Sequence, residues 1–506
     1  MAQQLQNITV AAPGFAGLNT QDSPIGGDPS FAAVADNCVI DKLGRIGARK
    51  GWEAVSSNGA AVLGSSRGIE SVFEYVKRDG TKIVFSAGNN KIFTGTSTLA
   101  AVTLPSGYSI SANNWKIVSF NNDVYFFQRG HAALVSVAGS TTLIAVADGG
   151  TAAPAANEVL AAYGRLWAAD ITANKYVVYW SDLLDGDDWH GGSSGSLDLT
   201  LVWPTGFDEV VALAAHNNFL IIFGKKSMLV YSGASSPASM TLADTVEGVG
   251  CIARDSVQHT GTDILFLSET GVRSFGRTIQ EKSMPMRDIS KNIRTDLLSL
   301  ISLQTNAIKS LYSSEEAFYL LTLPDSNTVY CFDMRRQLED GSNRVTTWSS
   351  MYPLSFVSLE GGAIYIGISS GIVEYKNYMD GAVKYEMRYF SNPMDFGNTS
   401  NLKFLKKFNL TIIGGQNTPT TLNWGYDYSA SFTKQAFTFS SSNIAEYGLA
   451  QYNTTGEYTS SILINTPKVN TSGSGEVATI GIEAEVNGAA FSIQKIDIHA
   501  LLGRLI

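Results

Sequence analysis

The residues best placed to do chemistry lie in one acidic stretch, Ser181-Asp182-Leu183-Leu184-Asp185-Gly186-Asp187-Asp188-Trp189. Carboxylates clustered about a glycine turn can offer oxygen ligands to a hard cation such as Ca²⁺, and Asp182, Asp185 and Asp187 are the weak candidates for that role. The stretch lacks the regular alternation and the terminal Glu of an EF-hand loop, so it is read first as a structural turn. Other reactive types are sparse. The five histidines are His131, His190, His216, His259 and His499, and none stands at a metal-binding spacing from another His, a Cys or a carboxylate. Cys38, Cys251 and Cys331 are far apart and odd in number, which gives neither a disulfide framework nor a zinc set. Cys251 and Cys331 are expected to be small buried hydrophobes. No G-x-S-x-G elbow, phosphate loop or dinucleotide fingerprint is expected. The expectation is a protein with no catalytic residues, no cofactor and no committed metal site.

What would position these residues is a unit repeated seven times between residues 72 and 375. Each copy reads as strand, polar turn, apolar strand, glycine-rich turn, strand. The middle strands are expected over 82–86, 124–127, 166–169, 219–223, 264–267, 317–322 and 363–367, with centres about 41 to 54 residues apart. That is the spacing of β-propeller blades. Asn121-Asn122, Asn217-Asn218 and Gly361-Gly362 supply the positive φ that tight hairpins need. Fourth strands are expected over 98–104, 141–147, 197–203, 240–243 and 344–349. The fold class is therefore all-β: an irregular six- or seven-bladed propeller over 61–376, a β-sandwich-like platform domain over 377–506, and few short helices. One repeat could serve as a closure or belong to the neighbouring domain.

The flanks differ from the repeats. Residues 1–60 read as an N-terminal arm that packs on the C-terminal domain, with a short helix over 29–37 begun by Asp28-Pro29. A second helix is expected over 288–303, where Ile289, Ile293, Leu297, Leu298 and Ile301 recur at helical spacing. Longer strands are expected over 404–413, 420–428 and 456–464. The segments 478–486 and 490–498 are expected to form a hairpin about Asn487-Gly488.

Composition bounds the partners. Charged residues make up 16% of the chain, below the roughly 25% of ordinary domains, which suits turns and subunit contacts. The net charge of −9 excludes the basic footprint of a nucleic-acid reader. Met1–Gln21 has no basic residue and no apolar core of a signal peptide, and no run approaches a membrane span. A chain made in a cytoplasm and without a membrane-spanning segment is expected.

Several segments, taken in order, resemble the tail nozzle and packaged-DNA stabilisation proteins of short-tailed bacteriophages. They are Ala16-Gly17-Leu18-Asn19-Thr20, Asp22-Ser23-Pro24, Asn37, and Gly44-Arg45-Ile46-Gly47-Ala48-Arg49-Lys50-Gly51-Trp52. They continue with Arg165-Leu166-Trp167-Ala168-Ala169, Val178-Tyr179-Trp180-Ser181-Asp182, Asp188-Trp189, and Leu220 through Ser227. Gly250-Cys251-Ile252-Ala253-Arg254-Asp255-Ser256, Ile264-Leu265-Phe266-Leu267-Ser268, Gly271-Val272 and the hairpin from Asn487-Gly488 complete the set. Lys50 departs from the pattern, standing where a proline is common. The resemblance implies a homohexameric virion ring distal to the portal and an adaptor ring. It would conduct the genome at ejection, help retain packaged double-stranded DNA without reading its sequence, and dock tail fibres or spikes. The acidic stretch also resembles the S-x-D-x-G-x-x-W box of sialidase-type propellers, with the Asp displaced and a single occurrence. The alternative it raises is a propeller enzyme or lectin acting on glycans.

Overall fold

A computed structural model describes residues 5–505 apart from 24–27, 66, 205, 282–287, 399, 430 and 440–463. Its centre is a β-propeller. Six blades are sheets of their own. Blade 1 holds Ile69–Val76, Lys82–Gly88, Lys91–Thr94 and Ala100–Ala101. Blade 2 holds Lys116–Phe120, Asp123–Phe127, Leu134–Ser136 and Ile144–Ala145. Blade 3 holds Ala156–Ala162, Arg165–Ile171, Val177–Trp180 and Gly195–Asp198. Blade 4 holds Val210–His216, Phe219–Gly224, Ser227–Ser232 and Thr241–Glu247. Blade 5 has three strands, Gln258–His259, Ile264–Ser268 and Gly271–Ser274. The last blade holds Ser355–Ser358, Ile364–Ile368 and Gly371–Tyr375, and takes its fourth strand, Trp52–Ala54, from the start of the chain.

Between blade 5 and the last blade stands a shared blade of Lys309–Ser313, Phe318–Leu323, Thr328–Gln337 and Asn343–Trp348. Its outermost strand pairs in parallel with Phe31–Asp36, and the sheet runs on through Tyr385–Ser391, Ala478–Val486, Pro419–Tyr426 and Thr433–Thr438. A second sheet of Asn401–Gly414, Phe491–Leu505, Ile46–Ala48 and Cys38–Ile40 packs against it, with Leu5–Ala11 added along Phe491–Leu505. One large core, which includes Phe15, Tyr389, Phe408, Leu422, Ile482 and Ile493, lies among these strands. Smaller cores fill the spaces between successive blades; Trp167, Trp180, Leu213, Leu220 and Leu229 pack blade 3 on blade 4.

Two expectations are corrected. The segment read as a helix over 29–37 is the strand Phe31–Asp36. Ala32, Ala35 and Asp36 are buried there between Asn343–Trp348 and Tyr385–Ser391. Pairing on both edges within a ten-stranded sheet outweighs the local capping signal. The segments on either side of Asn487-Gly488 are not a hairpin ladder. Ala478–Val486 pairs with Tyr385–Ser391 and Pro419–Tyr426, whereas Phe491–Leu505 pairs with Asn401–Gly414. The Asn-Gly turn is thus a corner between two sheets, and longer partner ladders win over the short local one. The helix expected over 288–303 is shorter, a 3₁₀ turn Lys291–Ile293 followed by Arg294–Ile301. The strand expected over 456–464 falls almost wholly outside the described residues. Among the described residues no helix is long and apolar enough to cross a membrane.

Candidate functional site

The propeller axis is lined by the first strand of each blade. Hydrogen bonds from short side chains tie neighbours together: Ser71 Oγ donates to Trp115 O at 2.9 Å, and Ser355 Oγ donates to Ile69 O at 2.8 Å, which joins the last blade to the first. Charged side chains reach inward from these strands and from the 3₁₀ turn Arg254–Ser256 that precedes blade 5. Asp255 Oδ2 receives Arg254 Nη2 at 2.7 Å and Lys309 Nζ at 2.8 Å. Arg254 continues to Asn157 Oδ1 at 3.1 Å in blade 3 and to Asn114 Oδ1 at 2.8 Å beside blade 2. Lys309 also donates to Asn114, and Lys116 lies 3.5 Å from Glu158 Oε2 and 3.8 Å from Asp255 Oδ1. The network therefore crosses the axis, tying blades 2 and 3 to blade 5 and the shared blade opposite. A cavity of about 360 Å³ opens onto the same charges, lined by Lys116, Asp255 and Lys309 together with Ser71, Gln258 and Ser355.

The titration of these groups follows from their setting. Burial opposes the charge on Asp255, but Arg254, Lys309 and Lys116 overcome it and hold the carboxyl well below the usual range. Burial pushes Glu158 up against the pull of Lys116 and Arg254. Burial also lowers Lys309, with Asp255 working against it. Three cations face two carboxylates, and the low-dielectric surroundings make every unpaired charge costly. The paired charges hold blades 2 and 3 to the turn before blade 5 and to the shared blade.

The acidic stretch is a folded turn on blade 3. Asp182 Oδ1 accepts from Ser193 N at 2.8 Å and Ser193 Oγ at 2.5 Å, and these bonds lower its pKa. Asp185 Oδ1 accepts from the backbone of Asp187 and Asp188 at 2.9 and 3.3 Å. Asp187 turns toward Tyr125, where burial and then Asp185 and Asp123 raise its pKa. The Trp189 indole donates to Gly186 O at 2.9 Å, and its buried ring packs on Phe127 across the blade 2–blade 3 boundary. Asp182, Asp185 and Asp187 are thus each turned to a different partner and do not converge. A different trio does: ligand atoms of Asp148, Asp188 and His190 lie within 4.8 Å of one another. Asp188 Oδ1 already accepts from His190 N at 3.0 Å and Gly191 N at 2.7 Å. Against the expectation that no G-x-S-x-G pattern occurs, Gly367-Ile368-Ser369-Ser370-Gly371 spells it, and so does Gly191-Gly192-Ser193-Ser194-Gly195 beside the acidic stretch. The Ser193 hydroxyl is committed to Asp182 and its segment leads into a strand, not a helix.

The remaining motif residues build joints. Arg49 is fully buried where the propeller meets the N-terminal strands, and all five of its N–H groups are used. Nε donates to Asn37 Oδ1 at 3.0 Å; Nη1 donates to Asp380 Oδ1 at 2.8 Å and Lys50 O at 2.9 Å; Nη2 donates to Asp380 Oδ2 and Ser350 Oγ, both at 2.7 Å. The guanidinium also stacks 4.2 Å over the Tyr385 ring. Asn37 holds φ of 53°. At Gly51 a Cβ would meet Met379 O at 1.9 Å, so only glycine fits. Gly17 and Gly44 have φ of 83° and 75°, with Val345 and Pro13 pressed against them. Trp167 and Trp180 pair at 5.6 Å and donate to Ala162 O and Ser193 O. Ser181 Oγ accepts from Leu166 N at 3.1 Å. Ser227 N donates to Asp208 Oδ2 at 3.0 Å, and a Cβ at Gly250 would meet Lys225 C at 2.3 Å. Cys251 is buried, with its thiol donating to Ala253 O. Gly271 has φ of 127° against Ser290, and Gly488 N donates to Tyr378 O at 2.9 Å beside exposed Asn487.

No family model and no curated protein matches the chain. Among solved structures it is similar to the computationally designed Ika8 protein (11% identity, TM-score 0.37, covering 61% of this chain and 83% of that one). It is also similar to the Pan2 WD40 domain of Neurospora crassa (8% identity, TM-score 0.38, covering 65% and 94%) and to YCF48 bound to D1 peptide (10% identity, TM-score 0.36, covering 64% and 94%). The sheet topology itself establishes the propeller.

Proposed function

We propose that the protein is a structural virion subunit, the tail nozzle of a short-tailed bacteriophage, and that it acts as a building block without catalysis. The observation that carries this reading is the ion network lying across the propeller axis, which leaves no passage there for a duplex. A conduit must then be enclosed between subunits, each propeller serving as one stave of the wall. The ordered motif residues support the same reading, because they sit at blade turns and at the seam where a rigid stave needs its joints. The ring is a homohexamer that meets an adaptor ring on one side and carries fibres or spikes on loops of the other. Six copies carry 6 × −9 = −54 charges. An acidic wall repels the phosphate backbone, so DNA slides through without sequence-specific binding. Light scattering tests the assembly: a mass near six times 54.3 kDa, alone or with the adaptor, is expected. A strictly monomeric protein that degrades polysaccharide overturns it.

A further inference from the structure

A second cavity, of about 310 Å³, lies where the strands Cys38–Ile40 and Ile46–Ala48 face the shared and last blades. Its lining carries Lys42, Arg45, Lys50 and Arg335 against Asp41 and Glu316, four cations to two carboxylates. Both carboxylates are occupied. Asp41 Oδ1 accepts from the backbone of Leu43 and Arg45, each at 2.9 Å, and Asp41 Oδ2 accepts from Arg45 Nε at 2.6 Å. Glu316 is held by Lys50. Arg335 Nη1 is turned to Ile40 O at 2.8 Å and to Asp333. Arg45 is different. It is 9% exposed, and its Nη1 is buried with no hydrogen-bond partner among the described residues. Leaving a buried guanidinium N–H unpaired is costly, and the cost is removed by an acceptor that brings its own negative charge. The rest of the lining is mostly apolar or glycine, such as Val39, Phe318, Ile413 and Gly414, with Gln416 and Ser492 as further polar groups.

From this geometry we infer an oxyanion site: the cavity takes a small molecule bearing a carboxylate or a phosphate group, whose oxygens accept from Arg45 Nη1 with Lys50 nearby. A bound anion would touch both the N-terminal strands and the propeller, so occupancy tightens the seam between them. The inference rests on the cavity alone and is independent of the nozzle reading.

The test uses the full chain in chloride-matched buffer, titrated separately with inorganic phosphate and with glutarate, and read by calorimetric binding and by thermal unfolding. A saturable heat together with a saturable rise in Tm is expected for at least one of the two. Phosphate alone, glutarate alone or both would name which oxyanion the site prefers. Arg45→Met should weaken that binding at least tenfold, while Arg45→Lys should keep part of it. Should Arg45→Met fail to fold, Lys50→Gln provides the second reading, with binding weakened about threefold or more. The inference is overturned if neither anion gives a saturable response in the parent protein, or if folded Arg45→Met and Lys50→Gln both bind within twofold of it.

Discussion

Replacing Arg49 with Met should damage the protein more than any other single charge removal at the seam. The side chain has no exposed surface and satisfies five acceptors, two of them on Asp380. Methionine fills similar volume but leaves the Asp380 carboxylate and the Asn37 amide oxygen without their principal donor. Breaking a buried pair from one side costs about 3–5 kcal/mol. An unfolding entropy of roughly 2.1 cal/mol/K per residue, taken over one cooperative unit of this length, converts that to a fall in Tm of about 3–5 °C. Urea denaturation followed by tryptophan fluorescence supplies the free energy. Arg49→Lys should recover little, since an ammonium cannot span both Asp380 oxygens. The double variant Arg49→Met/Asp380→Asn should be less damaged than Arg49→Met alone, because the stranded charge is gone. A loss below about 1 kcal/mol for Arg49→Met, the range of ordinary surface changes, would refute the reasoning.

Three further outcomes follow from the same structure. Gly51→Ala should be poorly folded or strongly destabilised in thermal unfolding, because its Cβ has backbone at 1.9 Å and no flexible neighbour to move; Gly64→Ala, with open space around it, isolates the cost of a positive φ. Asp255 has a depressed folded pKa, so its stabilisation is present above the unfolded value of about 3.9 and is lost as pH falls toward the folded one. Asp255→Asn should therefore lower stability at neutral pH and flatten the loss on acidification below about pH 4, as read by urea midpoints across pH. Asp182→Ala should cost about 1–2 kcal/mol as a lost turn contact, while millimolar Ca²⁺ or a chelator should leave the Tm of the parent protein unchanged.

Much of this architecture was legible in the chain. The middle strand of each repeat lies where alternating apolar residues between Asn- and Gly-bearing turns require it: 82–86 falls in Lys82–Gly88 and 219–223 in Phe219–Gly224. Asn121, Asn122, Asn217 and Asn218 all hold positive φ, as the hairpin turns need. Fourth strands were less legible because exposed edges need little pattern; 98–104 yields only Ala100–Ala101. Local signals failed where distant partners decide. Phe31–Asp36 is a strand because strands more than 300 residues away pair with it, as Asp36 does with Thr347 and Arg388. The network across the axis was hidden for the same reason. Arg254 meets Asn114 across 140 positions and Lys309 meets it across 195, so no motif window holds the group. What could have signalled it is the presence of Lys309 and Glu158 in strands otherwise built for burial, since ionised side chains are seldom buried without a partner. The acidic stretch, in contrast, was legible as a turn, and its Asp182, Asp185 and Asp188 make the backbone contacts that a turn needs.

The most direct test of the stave account is electron microscopy of the purified protein, with and without the adaptor ring. The account predicts a six-fold ring whose central hole is wide enough for a duplex and is enclosed by subunits, each containing a propeller with density across its own axis. A monomeric particle, or a ring in which the open passage runs through the propeller axis itself, would contradict it.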